Sequence, residues 1–155
     1  IFLINFLYNQ VEIIRYIMKS FKQLLETLPN RALSLDQDQG RVTLRLNDSH
    51  LINIEEVGTD ICIYSPLIND LDFKPQQHFQ LALEYNLFGK ETGKGSIGYD
   101  STINSLVYFQ YISLLDFQKE SLESALQLFL QRLTHLEQLF HPKSQDSIVN
   151  PSNKV

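Results

Sequence analysis

The chain has 155 residues, 43% of them hydrophobic and 20% charged, and a formal net charge of −5. That is enough for one domain with its own core. Without a basic run it is a poor match to nucleic acid, whose phosphates need clustered Lys and Arg. The single cysteine, Cys62, excludes an internal disulfide and a CxxC zinc site and fits a reducing compartment.

The N-terminal stretch IFLINFLYN is apolar but short, and Asn5, Asn9 and Gln10 interrupt it or follow at once. It has neither a basic n-region nor a small-residue cleavage site, so it does not read as a signal peptide. No run of about 18 apolar residues follows anywhere, so no membrane-spanning helix is expected. Met18 is the only methionine. Either it is the natural start and residues 1–17 are an N-terminal extension, or the first helix is longer and begins near Asn9.

From Met18, MKSFKQLLETL places Phe21, Leu24, Leu25 and Leu28 on one helical stripe, ended by Pro29 and Asn30. Three short alternating runs come next. VTLRL (42–46), HLINIEEV (50–57) and DICIYSP (60–66) are joined by the turns NDS and GTD, with Pro66 closing the third. Links this short predict an antiparallel meander.

A second helix is predicted from Pro75 to Gly89, PQQHFQLALEYNLFG. Its apolar residues, including Phe79, Leu83, Leu87 and Phe88, cover most of the circumference. A helix apolar nearly all round must be covered on both sides, and in a chain this small the second cover is taken to be another subunit.

A hairpin follows: GSIGYD (95–100), the turn STIN, and SLVYFQYISLL (105–115). The second strand is apolar on both faces, with Leu106, Tyr108 and Ile112 on one and Val107, Phe109 and Tyr111 on the other. The last helix, from about Gln118 to Phe140, repeats Leu122, Leu126, Phe129, Leu133, Leu136 and Phe140 at spacings of four and three. Packing on the sheet is favoured over a coiled-coil seam, because the stripe covers under four heptads. Residues 141–155 are polar with two prolines and read as a disordered tail. The expected order is α–β–β–β–α–β–β–α, a twisted antiparallel sheet with helices packed on it in one α+β domain spanning residues 18–140.

The stretch GKETGKGS (89–96) has the glycines, lysine and serine of a phosphate-binding loop. It fails as a P-loop on three grounds. Three residues, not four, separate Gly89 from Gly93; Gly95 stands where the hydroxyl should follow Lys94; and a helix precedes while a strand follows. A helix C-terminus presents carbonyls, which suit Lys90 and Lys94 without any ligand. The stretch reads as a flexible turn.

The four histidines, His50, His78, His135 and His141, have no HExxH spacing and read as structural or solvated. Cys62, between two isoleucines, reads as a small core residue. DQDQG (36–40) lacks the Glu of a calcium loop, and Asn47-Asp48-Ser49 is a glycosylation sequon by spelling only. No GxSxG nucleophile motif is present. A small enzyme with a site dispersed along the sequence stays open as a reading. What stands out is apolar surface without chemistry, a mark of association.

Four segments carry a family resemblance. LALEYNLFG resembles the apolar helix ending in Asn-Leu-aromatic, here Asn86, Leu87 and Phe88, of the class I type III secretion chaperones, the group that includes the Tir chaperone. GSIGYDSTINSLVYFQYISLLDF resembles that family's glycine-led strand, acidic turn and apolar strand, and KESLESALQLFLQRLTHLEQLF its C-terminal helix. MKSFKQLLETL is similar to its first helix, where members often begin. The resemblance covers roughly residues 18–140; residues 1–17 have no counterpart, and GKETGKGS is more basic than that loop usually is. It implies a homodimer paired through the second helix, with Phe79, Leu83, Leu87 and Phe88 at the interface. It further implies a bacterial cytoplasmic chaperone, with no enzymatic activity and no cofactor, that holds the N-terminal part of a secreted effector as an extended chain. Phe21, Leu25, Val107, Phe109 and Tyr111 are the expected effector contacts, and the secretion ATPase is a second expected partner. The alternative is a regulatory or adaptor domain of similar fold, YbjN-like, with no secreted client.

Overall fold

The computed structural model describes residues 33–34, 41–46, 50–69, 71, 75–114 and 122–141. The first predicted helix with Phe21 and Leu25, the DQDQG turn, the Asn47-Asp48-Ser49 turn, residues 1–17 and the tail beyond His141 lie outside them.

The described elements are β1 (Leu33–Ser34), β2 (Arg41–Leu46), β3 (His50–Val57), β4 (Asp60–Ile68), α1 (Pro75–Asn86), β5 (Ser96–Asp100), β6 (Ser105–Ser113) and α2 (Leu122–Phe140). They form one six-stranded sheet in the order β1-β2-β3-β4-β6-β5, and all its pairings are antiparallel. The two-residue β1 extends the edge beside β2 and had no signal in the alternation pattern.

Strand periodicity sorts the side chains onto two faces. The inner face carries Val42, Leu44, Ile52, Ile54, Ile61, Ile63, Leu106 and Tyr108, all buried. Over it lies α2, whose whole predicted stripe from Leu122 to Phe140 is buried in the same cluster. Burying each such side chain is worth about 1.5–3 kcal/mol. That settles the stripe as a sheet-packing face. Phe129 stacks on Tyr108 with ring centroids 4.9 Å apart.

The predicted stop at Pro66 is corrected: β4 continues to Ile68, with a register shift between Pro66 and Ile68. Pro66 has no N–H to give its neighbour. The hydroxyl of Ser65 donates to the Leu51 carbonyl at 2.8 Å instead, so a central strand tolerates proline at a bulge.

Two histidine–glutamate pairs tie α2 to its surroundings. His50 of β3 meets Glu137 at 3.0 Å, and His135 meets Glu91 at 2.9 Å. His78 lies tilted against Phe140. His50 and His135 are thus held in polar contacts within the fold.

Candidate functional site

The outer face of the sheet gathers the predicted client-contact residues of β6. Val107, Phe109 and Tyr111 alternate along it, opposite Pro66, Tyr64 and Cys62 of β4. The Phe109 and Tyr111 rings meet edge to face at 6.0 Å. Val107 and Phe109 are half-buried, and Tyr111 is exposed. Exposed Leu51 of β3 adds to this apolar surface and was not singled out in the sequence. Only its i, i+2 relation to Asn53, which stands opposite Tyr64, could have placed it there.

Cys62 is buried, but it points away from the core, because Ile61 and Ile63 on either side face inward. Burial pushes its thiol up, against a hydrogen bond with Tyr111 that lowers it. A raised thiol is a poor nucleophile.

The predicted interface residues of α1 and the turn after it divide in two. Phe79 is half-buried and meets Tyr99 of β5 edge-on at 5.2 Å, so it belongs partly to the fold. Leu83, Leu87 and Phe88 are 73%, 59% and 97% exposed. The α-helix stops at Asn86, and Leu87–Gly89 forms a single 3-10 turn. There Phe88 takes a left-handed φ of 57° and Gly89 one of 65°. For a non-glycine residue that conformation costs about 1–2 kcal/mol. Strain spent to hold a phenylalanine ring in solvent points to a surface that meets something.

The stretch read as a flexible turn is tied down. The Glu91 N–H donates to the Tyr85 carbonyl and the Gly93 N–H to that of Gly89. Thr92 is 1% exposed. Its carbonyl accepts from the Tyr108 hydroxyl at 3.0 Å, while Arg132 Nη1 donates to the Glu91 carbonyl at 3.0 Å. Gly95 is required by contact rather than by φ: a Cβ there would lie 2.5 Å from the Tyr108 ring. The turn leads into β5, not into a helix, so no row of free N–H groups faces a phosphate.

Between this turn, the end of β6 and α2 runs a groove of about 690 Å³. Ile112, Ala125 and Leu128 give it an apolar floor, and Lys94 and Arg132 lie along it. Among the described residues no cluster of three or more His, Cys, Asp and Glu could hold a metal ion, and no helix is long and apolar enough to cross a membrane.

An antiparallel meander, a strand hairpin and two helices packed on the sheet define an α+β fold that is also seen in chains of several solved protein complexes. A chain of the ExsC-ExsE complex superposes with a TM-score of 0.57 at 16% identity, covering 82% of this chain and 94% of that one. A chain of the HopA1-SchA chaperone-effector complex gives 0.51 at 17%, over 84% and 94%. A chain of the heterodimeric ExoU-SpcU complex of Pseudomonas aeruginosa gives 0.51 at 14%, over 69% and 88%. No curated protein matches the sequence significantly. Residues 19–137 match the Tir chaperone protein (CesT) family, and the chain belongs to that family.

Proposed function

We propose that the protein is a dimeric chaperone of a bacterial type III secretion system, acting in the cytoplasm without enzymatic activity. It binds the N-terminal region of an effector and keeps it extended and competent for secretion. The observation that carries this reading is the family match over residues 19–137. The surfaces agree with it: an apolar outer sheet face at Val107, Phe109 and Tyr111, and an exposed apolar helix face at Leu83, Leu87 and Phe88. The first suits apolar client side chains laid on a sheet, and the second suits a subunit contact.

The test is capture of the tagged full chain from its native bacterium, followed by mass spectrometry and limited proteolysis. The expected result is one co-purifying protein that is protected near its N-terminus. Recovery of a small molecule with measurable turnover, or of a regulatory partner that is never secreted, overturns the reading.

A further inference from the structure

On the β5 side of the sheet, hydrogen bonding shows which stretch is closed and which is open. The backbone N–H and C=O of Ile97 are both taken by the Asn86 side chain. Ile97 therefore points its backbone away from β6, although it stands opposite Tyr108. Antiparallel strands alternate the side to which backbone groups point. In β6, then, Tyr108, Gln110 and Ile112 point toward β4, and Phe109 and Tyr111 point the other way. The Leu114 N–H, which keeps the parity of Tyr108, donates across to the Thr59 carbonyl as this requires. β5 begins at Ser96, opposite Phe109. Beyond it, among the described residues, no strand lies beside Tyr111, whose backbone faces the groove.

That groove has one charge sign to offer. Arg132 spends one N–H on the Glu91 carbonyl, and Lys94 is exposed. Among the described residues neither makes an ion pair. The nearby Glu91 carboxylate is occupied by His135 at 2.9 Å. On a chain of net charge −5 this is a local cationic lip over an apolar floor.

We propose that the groove takes an extended segment of the client that carries an acidic side chain. The segment pairs as a strand with Tyr111, lays apolar residues on Ile112 and Leu128, and sets a carboxylate against Arg132 and Lys94. This deepens the chaperone reading and rests on it. It gives Arg132 and Lys94 the choice of client sequence, because a charge-assisted pair rejects the wrong sign more strongly than an apolar floor rejects the wrong shape.

The test uses the full chain and two fluorescein-labelled peptides of alternating Val and Thr, one with Glu at its centre and one with Lys. The Glu peptide should bind about tenfold tighter by anisotropy, with a preference that shrinks in about 0.5 M salt. Lys94→Glu, at an exposed position, should weaken the preference, and Lys94→Glu with Arg132→Glu should abolish or reverse it. Equal affinities, no binding of either peptide, or an unchanged preference in the variants would overturn the proposal. A photo-crosslinker at Leu128 separates its failure from that of the chaperone reading. A captured client that cross-links from Phe109 but never from Leu128 sinks the groove alone, whereas capture of no client sinks the reading beneath it.

Discussion

Asn86 closes the outer edge of β5 by holding both backbone groups of Ile97. Its Oδ1 accepts the Ile97 N–H at 2.8 Å, and its Nδ2 donates to the Ile97 carbonyl at 2.9 Å. A primary amide offers a donor and an acceptor side by side, as a paired strand does. One side chain at the end of α1 therefore blunts an edge that would otherwise template another chain. It also anchors the helix that carries Leu83 to the hairpin that carries Phe109.

Asn86→Ala should leave two polar groups of a buried residue unpaired, at a cost of about 1–3 kcal/mol. Urea denaturation would measure the loss. Exchange of the Ile97 amide with deuterium should speed up beyond what global unfolding explains, and aggregation should rise with concentration. Unchanged exchange at Ile97 would contradict the edge-closing role.

Gly95 and Gly89 should fail for different reasons. A Cβ at Gly95 meets the buried Tyr108 ring at 2.5 Å, whereas one at Gly89 meets nothing within 4 Å but must adopt a φ of 65°. Gly95→Ala should cost about 1–3 kcal/mol by overpacking, and Gly89→Ala about 1–2 kcal/mol by backbone strain. Combined with Tyr108→Leu, the Gly95 cost should be strongly sub-additive and the Gly89 cost additive. Denaturation midpoints of the single and double variants would decide it.

Periodicity made the architecture legible. The stripe from Leu122 to Phe140 and the alternation of Ile52, Ile54, Ile61 and Ile63 each state one buried face, and each is buried. The same alternation placed Val107, Phe109 and Tyr111 together. Pro66 misled because its missing donor is replaced by the Ser65 hydroxyl, a side-chain event with no periodic trace. The Lys90–Gly95 turn misled in the same way: its glycines suggest freedom, while the groups that fix it, Arg132, His135 and Tyr108, come from distant elements. Arg132 itself sits one place before a stripe leucine on a helix. Nothing local shows that it lines the same groove as Lys94.

Tyr108 should give the protein an alkaline limit. Burial pushes its hydroxyl up to about 12, against the lowering influence of Arg132, while an unfolded tyrosine titrates near 10. Below about pH 10 both states keep the proton and stability is full. Between about 10 and 12 only the unfolded state ionises, so stability falls as pH rises, by on the order of 2 kcal/mol. Tyr64 and Tyr85 are also raised by burial, so the wild type alone cannot isolate the effect. Tyr108→Phe should lose about 1 kcal/mol at neutral pH with its hydrogen bond to Thr92, and should then lose less than the wild type on going to pH 11. Parallel stability curves would refute the assignment.

The exposed apolar residues of α1 and of the turn that follows it should hold the dimer without holding the fold. Leu83 and Leu87 stand in solvent in the single chain, so Leu83→Asp with Leu87→Asp removes little that a monomer uses; surface changes of this kind usually stay within about 0.5 kcal/mol. Across a subunit contact the same carboxylates would be desolvated without partners. The expected product is a soluble, folded monomer by light scattering, whose melting no longer depends on protein concentration as a dimer's must. Phe79→Ala should behave differently. Phe79 is half-buried and packs on Tyr99 within one chain, so its loss should destabilise the subunit by about 1–3 kcal/mol whatever the assembly state. A Leu83→Asp, Leu87→Asp variant that remains dimeric would move the subunit contact off this helix, and the strained, exposed ring of Phe88 would then need another partner.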